Sequence, residues 1–316
     1  MKSFFITGGA GFIGSHVCEM IVKKYPKAKV FVLDKLTYAG NKKFIIHLIK
    51  KRKIKFIKAD IIDVKKYSKY LKNIDCAINV AAESHVDNSF ANSINFTKTN
   101  VLGTHNFIQC CIDKNVKKII HISTDEVYGD KIKGKSSESD KLNPTNPYSA
   151  SKAAAEMIIN SYKFVHKKNI IIVRANNIYG IRQYPEKLIP ACITNLLNNK
   201  KIQIHGNGKN IRHFLSVNDF CKALFVIIKK SNLGIFNVGS DEKFKNIEVA
   251  KKISYLMNKK NKIRYVKDRP FNDTRYSITS DKLKKLGWST KDKLFLMLPD
   301  MIIWYKNNVK IFKKTY

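Results

Sequence analysis

Tyr148 and Lys152 stand four residues apart in Pro147-Tyr148-Ser149-Ala150-Ser151-Lys152, at the start of a helical stretch that puts both side chains on one face. A cation beside a phenol stabilises the phenolate, so a group that ordinarily titrates at about pH 10 becomes a base close to neutrality. Such a base suits a hydroxyl whose carbon loses hydride. A binding site for a hydride acceptor lies upstream, in Thr7-Gly8-Gly9-Ala10-Gly11-Phe12-Ile13-Gly14, spaced G-x-x-G-x-x-G between a β-rich run and a helix. The glycines let the backbone turn tightly and approach a pyrophosphate, and the helix N-terminus offers unpaired N–H groups to the phosphates. Roughly 20 residues further on, a second β-rich run ends in Leu33-Asp34, where a carboxylate binds a ribose 2′-hydroxyl. That favours NAD over NADP, although the adjoining Lys35 could partly neutralise a 2′-phosphate. Each pattern alone has a plain structural reading: chance spacing in a lysine-rich chain, a glycine turn, a turn-forming aspartate. Their company, together with Ser123-Thr124 ahead of the tyrosine, gives them weight.

The elements that must position these groups follow from the apolar rhythm. Phe4 to Thr7, Val30 to Leu33, Lys55 to Ala59, Cys76 to Val80, Lys118 to Ser123 and Ile170 to Arg174 read as strands, with amphipathic helices between them. Each strand then needs a crossover helix to return in parallel, which predicts an α/β fold with a doubly wound parallel sheet. After Asn177 the alternation loosens, and Pro185 and Pro190 bracket a predicted loop. The expected organisation is a dinucleotide-binding domain over 1–178, rejoined by about 213–236, and a smaller substrate-binding lobe over 179–316 around a shared cleft.

The 316 residues, 44% hydrophobic and 27% charged, suffice for a substantial core. Sixty Lys and Arg against 24 Asp and Glu give a formal charge of +36, which raises nucleic-acid binding as a rival function. Against it, pairs such as Lys23-Lys24, Lys50-Lys51, Lys117-Lys118, Lys229-Lys230 and Lys284-Lys285 are spread over almost every predicted surface helix rather than gathered into a stripe. A solvated surface is the simpler reading, and a positive field also steers a diphosphate. The six cysteines include no C-x-x-C pair and no zinc-like spacing, so no metal is expected and the thiols suit a reducing cytoplasmic compartment. The run Leu294 to Trp304 is interrupted by Pro299 and Asp300 well short of the ~20 apolar residues of a membrane span.

Five segments spread over nearly the full length carry a more specific signal: 34–41 (DKLTYAGN), 81–89 (AAESHVDNS), 123–129 (STDEVYG), 184–190 (YPEKLIP) and 268–276 (DRPFNDTRY). With them the chain resembles the extended short-chain dehydrogenase/reductases, and among these the nucleotide-sugar 4,6-dehydratases acting on dTDP-glucose or UDP-glucose. The resemblance implies a Rossmann fold, NAD that stays bound through turnover, and a homodimer formed through two helices of the main domain. It assigns cofactor contacts to Gly8, Gly11, Phe12, Ile13, Gly14, Asp34, Lys35, Asp60, Ile61, Ala81, Ala82, Thr99, Tyr148 and Lys152. It assigns substrate contacts to Ser84, Asn177, Glu186, Lys187, Arg212, Asn246, Arg269 and Tyr276, of which Arg212 and Arg269 suit a diphosphate because guanidinium forks match phosphate oxygens. Related epimerases and decarboxylases share the glycines, tyrosine and lysine but do not place two adjacent carboxyls after this threonine. Oxidation at C4 acidifies the C5 proton; a base must then remove it while an acid protonates the leaving C6 hydroxyl, which requires neighbouring carboxyls with separated pKa values. By the resemblance Glu126 is that base, Asp125 that acid, Thr124 the partner of the C4 oxygen and Tyr148 its base. His85 reads as a loop histidine making hydrogen bonds. Ile181 stands where the family usually has proline, which puts the local loop shape in question.

The motifs leave the substrate open. The wording of 183–186 and 269–273 leans toward uridine; UDP-N-acetylglucosamine is also compatible because C2 takes no part, and the planar 5,6-ene would permit epimerisation at C5. An NDP-sugar epimerase or decarboxylase, and a basic nucleic-acid-binding protein, remain the alternatives.

Overall fold

In the computed structural model, which describes residues 1–166, 168–259 and 262–315, the chain forms twelve strands: β1 (Ser3–Thr7), β2 (Lys29–Asp34), β3 (Lys55–Lys58), β4 (Cys76–Asn79), β5 (Lys118–Thr124), β6 (Ile170–Ala175), β7 (Asn177–Tyr179), β8 (Ile202–His205), β9 (Ile211–Ser216), β10 (Gly234–Val238), β11 (Lys243–Lys245) and β12 (Ile263–Val266). Seven of them make one sheet in the order β3-β2-β1-β4-β5-β6-β10. Every pairing in it is parallel. The short apolar runs follow from burial on both faces: in β1, Phe4 and Ile6 pack in one layer with Val17, Ile21 and Leu224, while Phe5 packs in the other with Tyr67, Leu71 and Phe107. The chain winds outward in opposite directions from β1 and β4, so a crevice opens at their carboxyl ends, where doubly wound sheets bind ligands.

β10 and the preceding helix Val217–Lys230 belong to this body, since β10 pairs with β6 and Phe220, Leu224 and Ile227 pack in the same layer as Phe4. The remaining strands form a three-stranded sheet β11-β9-β7 and a pair β12-β8. Both lie with the helices Leu188–Leu197, Asn246–Leu256 and Leu294–Asn308 around a core of Ile193, Leu196, Ile204, Val249, Ile253, Leu298 and Tyr305.

Two local expectations are corrected. Pro190 does not close a loop; it is the third residue of the helix Leu188–Leu197, in the first turn, where a missing N–H costs no intrahelical bond. Lys118 is no surface lysine. It is 7% exposed and its Nζ donates to the carbonyls of Ile228 (2.8 Å) and Ser231 (2.6 Å), tying β5 to the end of the helix Val217–Lys230.

A buried ion pair fixes the helix Pro147–His166 against the sheet. Arg174 on β6 donates to Glu156 through Nη2 (2.6 Å) and Nε (3.0 Å), and through Nη1 to the hydroxyl of Tyr128 (2.6 Å). Glu156→Ala strands a guanidinium that is 2% exposed, so urea unfolding is expected to show a loss of about 3–5 kcal/mol.

Candidate active site

A cleft of about 770 Å³ opens at the carboxyl ends of β1, β4 and β5. Its walls take Gly8, Gly11, Phe12, Ile13, Gly14, Asp34, Lys35, Asp60, Ile61, Ala81, Ala82 and Thr99 from the main sheet's side, with Ser84, Thr124, Glu126, Tyr148, Lys152 and Asn177. Glu186, Lys187, Arg212, Asn246, Arg269 and Tyr276 come from the segments beyond β7. Of the residues given a catalytic, cofactor or substrate role in the sequence only Asp125 is missing from the wall; it is 2% exposed and lies next to Thr124 and Glu126.

The glycine loop is shaped for close approach. Gly8 has φ +66° and a Cβ there would stand 2.7 Å from the backbone of Ala81; a Cβ on Gly14 would stand 2.0 Å from the carbonyl oxygen of Gly8. The Asp34 carboxylate is oriented by the N–H groups of Ala10 (2.9 Å) and Leu36 (2.8 Å). Lys35, which the sequence left as a partner for a 2′-phosphate, is paired with Asp60 at 2.6 Å. A dinucleotide fits this cradle, and the carboxylate at the end of β2 with its neighbouring lysine occupied suits a free 2′-hydroxyl.

The two adjacent carboxyls are held differently. Asp125 Oδ2 accepts from Asn176 Nδ2 at 2.6 Å, and Asn176 Oδ1 in turn accepts from the Ser240 N–H at 2.9 Å, so the amide cannot turn. Burial and then the Glu126 charge push the Asp125 carboxyl up to about 7. Its proton therefore belongs on Oδ1, which stands 3.3 Å from Thr124 Oγ1. Glu126 is also raised by burial, but Lys187, Arg212 and the amide of Asn146 (3.3 Å) oppose the rise. The pair thus has an inner member that keeps a proton near neutrality and a cleft-facing member ringed by cations.

The phenol departs from expectation. Burial, Glu126 and Asp125 push Tyr148 above its ordinary range, opposite to the lowering that the lysine alone predicts. Lys152 is 2% exposed and burial brings it down to about 8, so it lends the phenol less charge than an exposed ammonium would. Its Nζ donates to the Ile122 carbonyl at 2.6 Å. The two arginines are already engaged: Arg269 Nε pairs with Asp87 at 2.6 Å, and Arg212 lies over the Tyr276 ring at 4.9 Å while donating to Asn272 Oδ1 at 3.0 Å. Lys187 Nζ donates to the Ser84 carbonyl at 2.5 Å. His85 sits 3.5 Å from Asp87 and 3.9 Å from Glu186, with Nδ1 lacking a hydrogen-bond partner.

Sequence reasoning missed Asn146 and Asn176. Asn146 was findable: an Asn before Pro147 at the head of a helix reads as a cap, and its Oδ1 does accept from the Ser149 N–H at 2.9 Å, leaving Nδ2 for Glu126. Asn176 gave only a doublet with Asn177 at a strand end.

A parallel sheet ordered 3-2-1-4-5-6 at its heart, a glycine cradle after β1 and a Tyr-x-x-x-Lys pair beside the crevice define an NAD-type oxidoreductase fold carrying two additional buried carboxyls. The chain matches the GDP-mannose 4,6 dehydratase family over residues 5–301 and belongs to it. It is 42% identical to the dTDP-D-glucose 4,6-dehydratase of Dictyostelium discoideum, over 98% of this chain and 82% of that one. It is likewise 42% identical to a trifunctional UDP-glucose 4,6-dehydratase/UDP-4-keto-6-deoxy-D-glucose 3,5-epimerase/UDP-4-keto-L-rhamnose-reductase of Arabidopsis thaliana, over 97% of this chain but 48% of that protein, so it spans about half that length. Its fold superposes on the dTDP-glucose 4,6-dehydratase of Streptomyces venezuelae, solved with NAD bound, at a TM-score of 0.94 with 35% identity and 98% of each chain covered.

Proposed function

We propose that this chain is an NAD-dependent nucleotide-sugar 4,6-dehydratase that converts a pyrimidine nucleoside-diphosphate hexose into its 4-keto-6-deoxy derivative, for deoxysugar biosynthesis. The observation that carries this reading is the buried Asp125-Glu126 pair beside Tyr148, which an epimerisation at C4 would not need. The glycine loop, Asp34 and Lys152 would hold NAD, which would supply the acceptor for the C4 hydride and its donor to C6, with Glu126 returning the proton to C5. Tyr148 accepts the C4 hydroxyl proton, and Thr124 Oγ1 holds the C4 oxygen. Glu126 removes the C5 proton, whose electron pair forms the C5–C6 double bond as the C6–O bond breaks. Asp125, through Oδ1, protonates the departing hydroxyl, which leaves as water. Arg212 and Arg269 hold the diphosphate, with Asp87 and Asn272 giving up their hold on the guanidinium forks. Ser84, Asn177, Glu186, Lys187, Asn246 and Tyr276 line the space left for the sugar and its nucleoside. The domains are read as 1–178 with 213–236, and 179–316, with the cleft between them.

The Asp125 shift sets a pH dependence. Its proton is present below about pH 7 and lost above it, so the elimination step is expected to fall about tenfold per unit at higher pH. Rapid-quench measurement of water loss checks this; a rate flat to pH 9 would remove Asp125 as the acid. Supplying UDP-glucose, dTDP-glucose and UDP-N-acetylglucosamine separately, without added NAD, and reading each product mass tests the function and ranks the substrates. Absence of water loss from all three, with or without NAD, would favour the epimerase reading.

Homodimerisation is supported by an apolar face. Met157, Phe164 and Val165 on the helix Pro147–His166 are 64%, 84% and 74% exposed, and Ile94 and Leu102 on the segments packed along it are 60% and 45% exposed. Phe164→Asp is expected to convert a dimer to a monomer by light scattering. No helix among the described residues is long and apolar enough to cross a membrane. The six buried free thiols accord with a cytoplasmic setting.

A further inference from the structure

Between β7 and the helix Leu188–Leu197 the chain turns through Ile181 and Arg182, which take no part in the chemistry above. Arg182 has φ +70°, a conformation that glycine adopts freely and that a residue bearing a Cβ does not. Ile181, one residue ahead, lacks the ring with which a proline would pre-set such a corner. The arginine side chain supplies a hold instead. Its Nη2 donates to Glu19 Oε1 at 2.7 Å and its Nη1 to Ser15 Oγ at 3.3 Å, both on the helix Phe12–Lys24 that follows the glycine loop. The Arg182 and Glu19 side chains are 15% and 31% exposed, so water screens this pair less than one on the open surface. His47 Nε2 stands 3.2 Å from the same Glu19 oxygen. His16 Nδ1 lies 2.9 Å from the Phe12 carbonyl; burial and then the Arg182 charge bring this imidazole down to about 4, so it stays neutral and leaves Glu19 to the guanidinium.

The same turn is held from the opposite side. The Tyr305 hydroxyl, on the helix Leu294–Asn308, donates to the Gln183 carbonyl at 2.7 Å and lies 3.3 Å from that of Gly180. Gln183 Nε2 donates to the Ile178 carbonyl at 2.9 Å and the Lys187 N–H to the Tyr184 carbonyl at 3.2 Å, so residues 178–187 are bonded into one piece. That piece ends in Glu186 and Lys187, which line the cleft; Arg182, Ser15 and Glu19 do not. We infer that Arg182 is a positioning residue, whose guanidinium latches the segment carrying Glu186 and Lys187 onto the helix at the cofactor end of the cleft and so fixes how that segment faces the incoming nucleotide sugar. Lys187 Nζ, 2.5 Å from the Ser84 carbonyl, makes a second crossing further along the same segment. Without the latch the substrate must order the segment as it binds, which costs affinity and leaves the chemistry of the filled site in place.

The inference rests on the dehydratase reading and is tested by steady-state kinetics of the purified holoenzyme with whichever of UDP-glucose or dTDP-glucose it turns over, the product being read by mass. Arg182→Gly puts a residue at ease with φ +70° in place and removes the guanidinium, so the turn can survive without the latch. It is expected to raise KM about tenfold and to leave kcat within about threefold of wild type. Arg182→Lys, which keeps one donor toward Glu19, is expected to fall between the two. Glu19→Ala removes the other half of the latch and leaves the turn's own sequence intact; it is expected to raise KM in the same direction, and it carries the test if Arg182→Gly does not fold. The double variant is expected to rise no further than Arg182→Gly alone, because both changes break one interaction. A folded variant with unchanged KM, a fall in kcat at constant KM, or a double variant whose rise is the product of the two single rises overturns the inference. A wild-type protein that releases no water from either sugar overturns the dehydratase reading instead.

Discussion

Glu126→Gln is expected to oxidise its substrate at C4 and go no further. The glutamine keeps the size of the side chain and its contact with Asn146, which stands 3.3 Å from Glu126 Oε2, so the cleft should keep its shape. What is lost is the carboxylate to which this account assigns the C5 proton, lining the cleft with Tyr148, Lys187 and Arg212. General-base removal typically costs about 10²–10⁴ in rate, and a loss within that range is expected. The bound cofactor should accumulate in its reduced form, visible spectroscopically, because hydride has no 5,6-ene to return to. Asp125→Asn should behave similarly, with reduced cofactor and little water released. An epimerase would tolerate either change far better, since neither carboxyl would act in its reaction.

Tyr148→Phe is expected to stop one step earlier. Without the phenol the C4 hydroxyl has no proton acceptor, and overall turnover should drop about 10²–10⁴-fold, this time with no reduced cofactor at any stage. The contrast separates the two halves of the chemistry: both variants fail to release water, but only the carboxyl variants show hydride transfer. Tyr148→Phe should also remain folded, since the ring keeps its edge contact with Phe96, at 6.3 Å between centroids. An enzyme that still reduces its cofactor after Tyr148→Phe would require a different base at C4.

The half of the fold that positions the cofactor was legible because each of its strands is buried on both faces. A strand such as Phe4 to Thr7 is apolar but for Thr7, whose hydroxyl is satisfied by Asn79, and it stands out ahead of a glycine turn and a helix. The return of the chain to that sheet through β10 was visible only as an approximate span, since nothing local in Gly234–Val238 states that its neighbour is β6, some sixty residues earlier. Reading Lys118 as solvated failed because composition reports how many lysines there are, not which one lies over the carbonyl end of a helix. At the site, the residue types that do chemistry were legible from spacing and resemblance, and the cleft assembles nearly all of them. Their protonation was not. Burial raises Tyr148 and lowers Lys152, an effect that depends on how deeply each is set and not on their separation of four residues. Asn176 was silent for a related reason: it matters through partners distant in sequence, Asp125 and Ser240.

The central claim is that hydride leaves C4 and returns to C6 of the same sugar while one water departs. It is tested most directly with nucleoside-diphosphate glucose deuterated at C4, the product being analysed by mass spectrometry and NMR. The account predicts a product lighter by one water, with the deuterium in the C6 methyl group. Deuterium retained at C4 of a product of unchanged composition, or released to solvent, would contradict it.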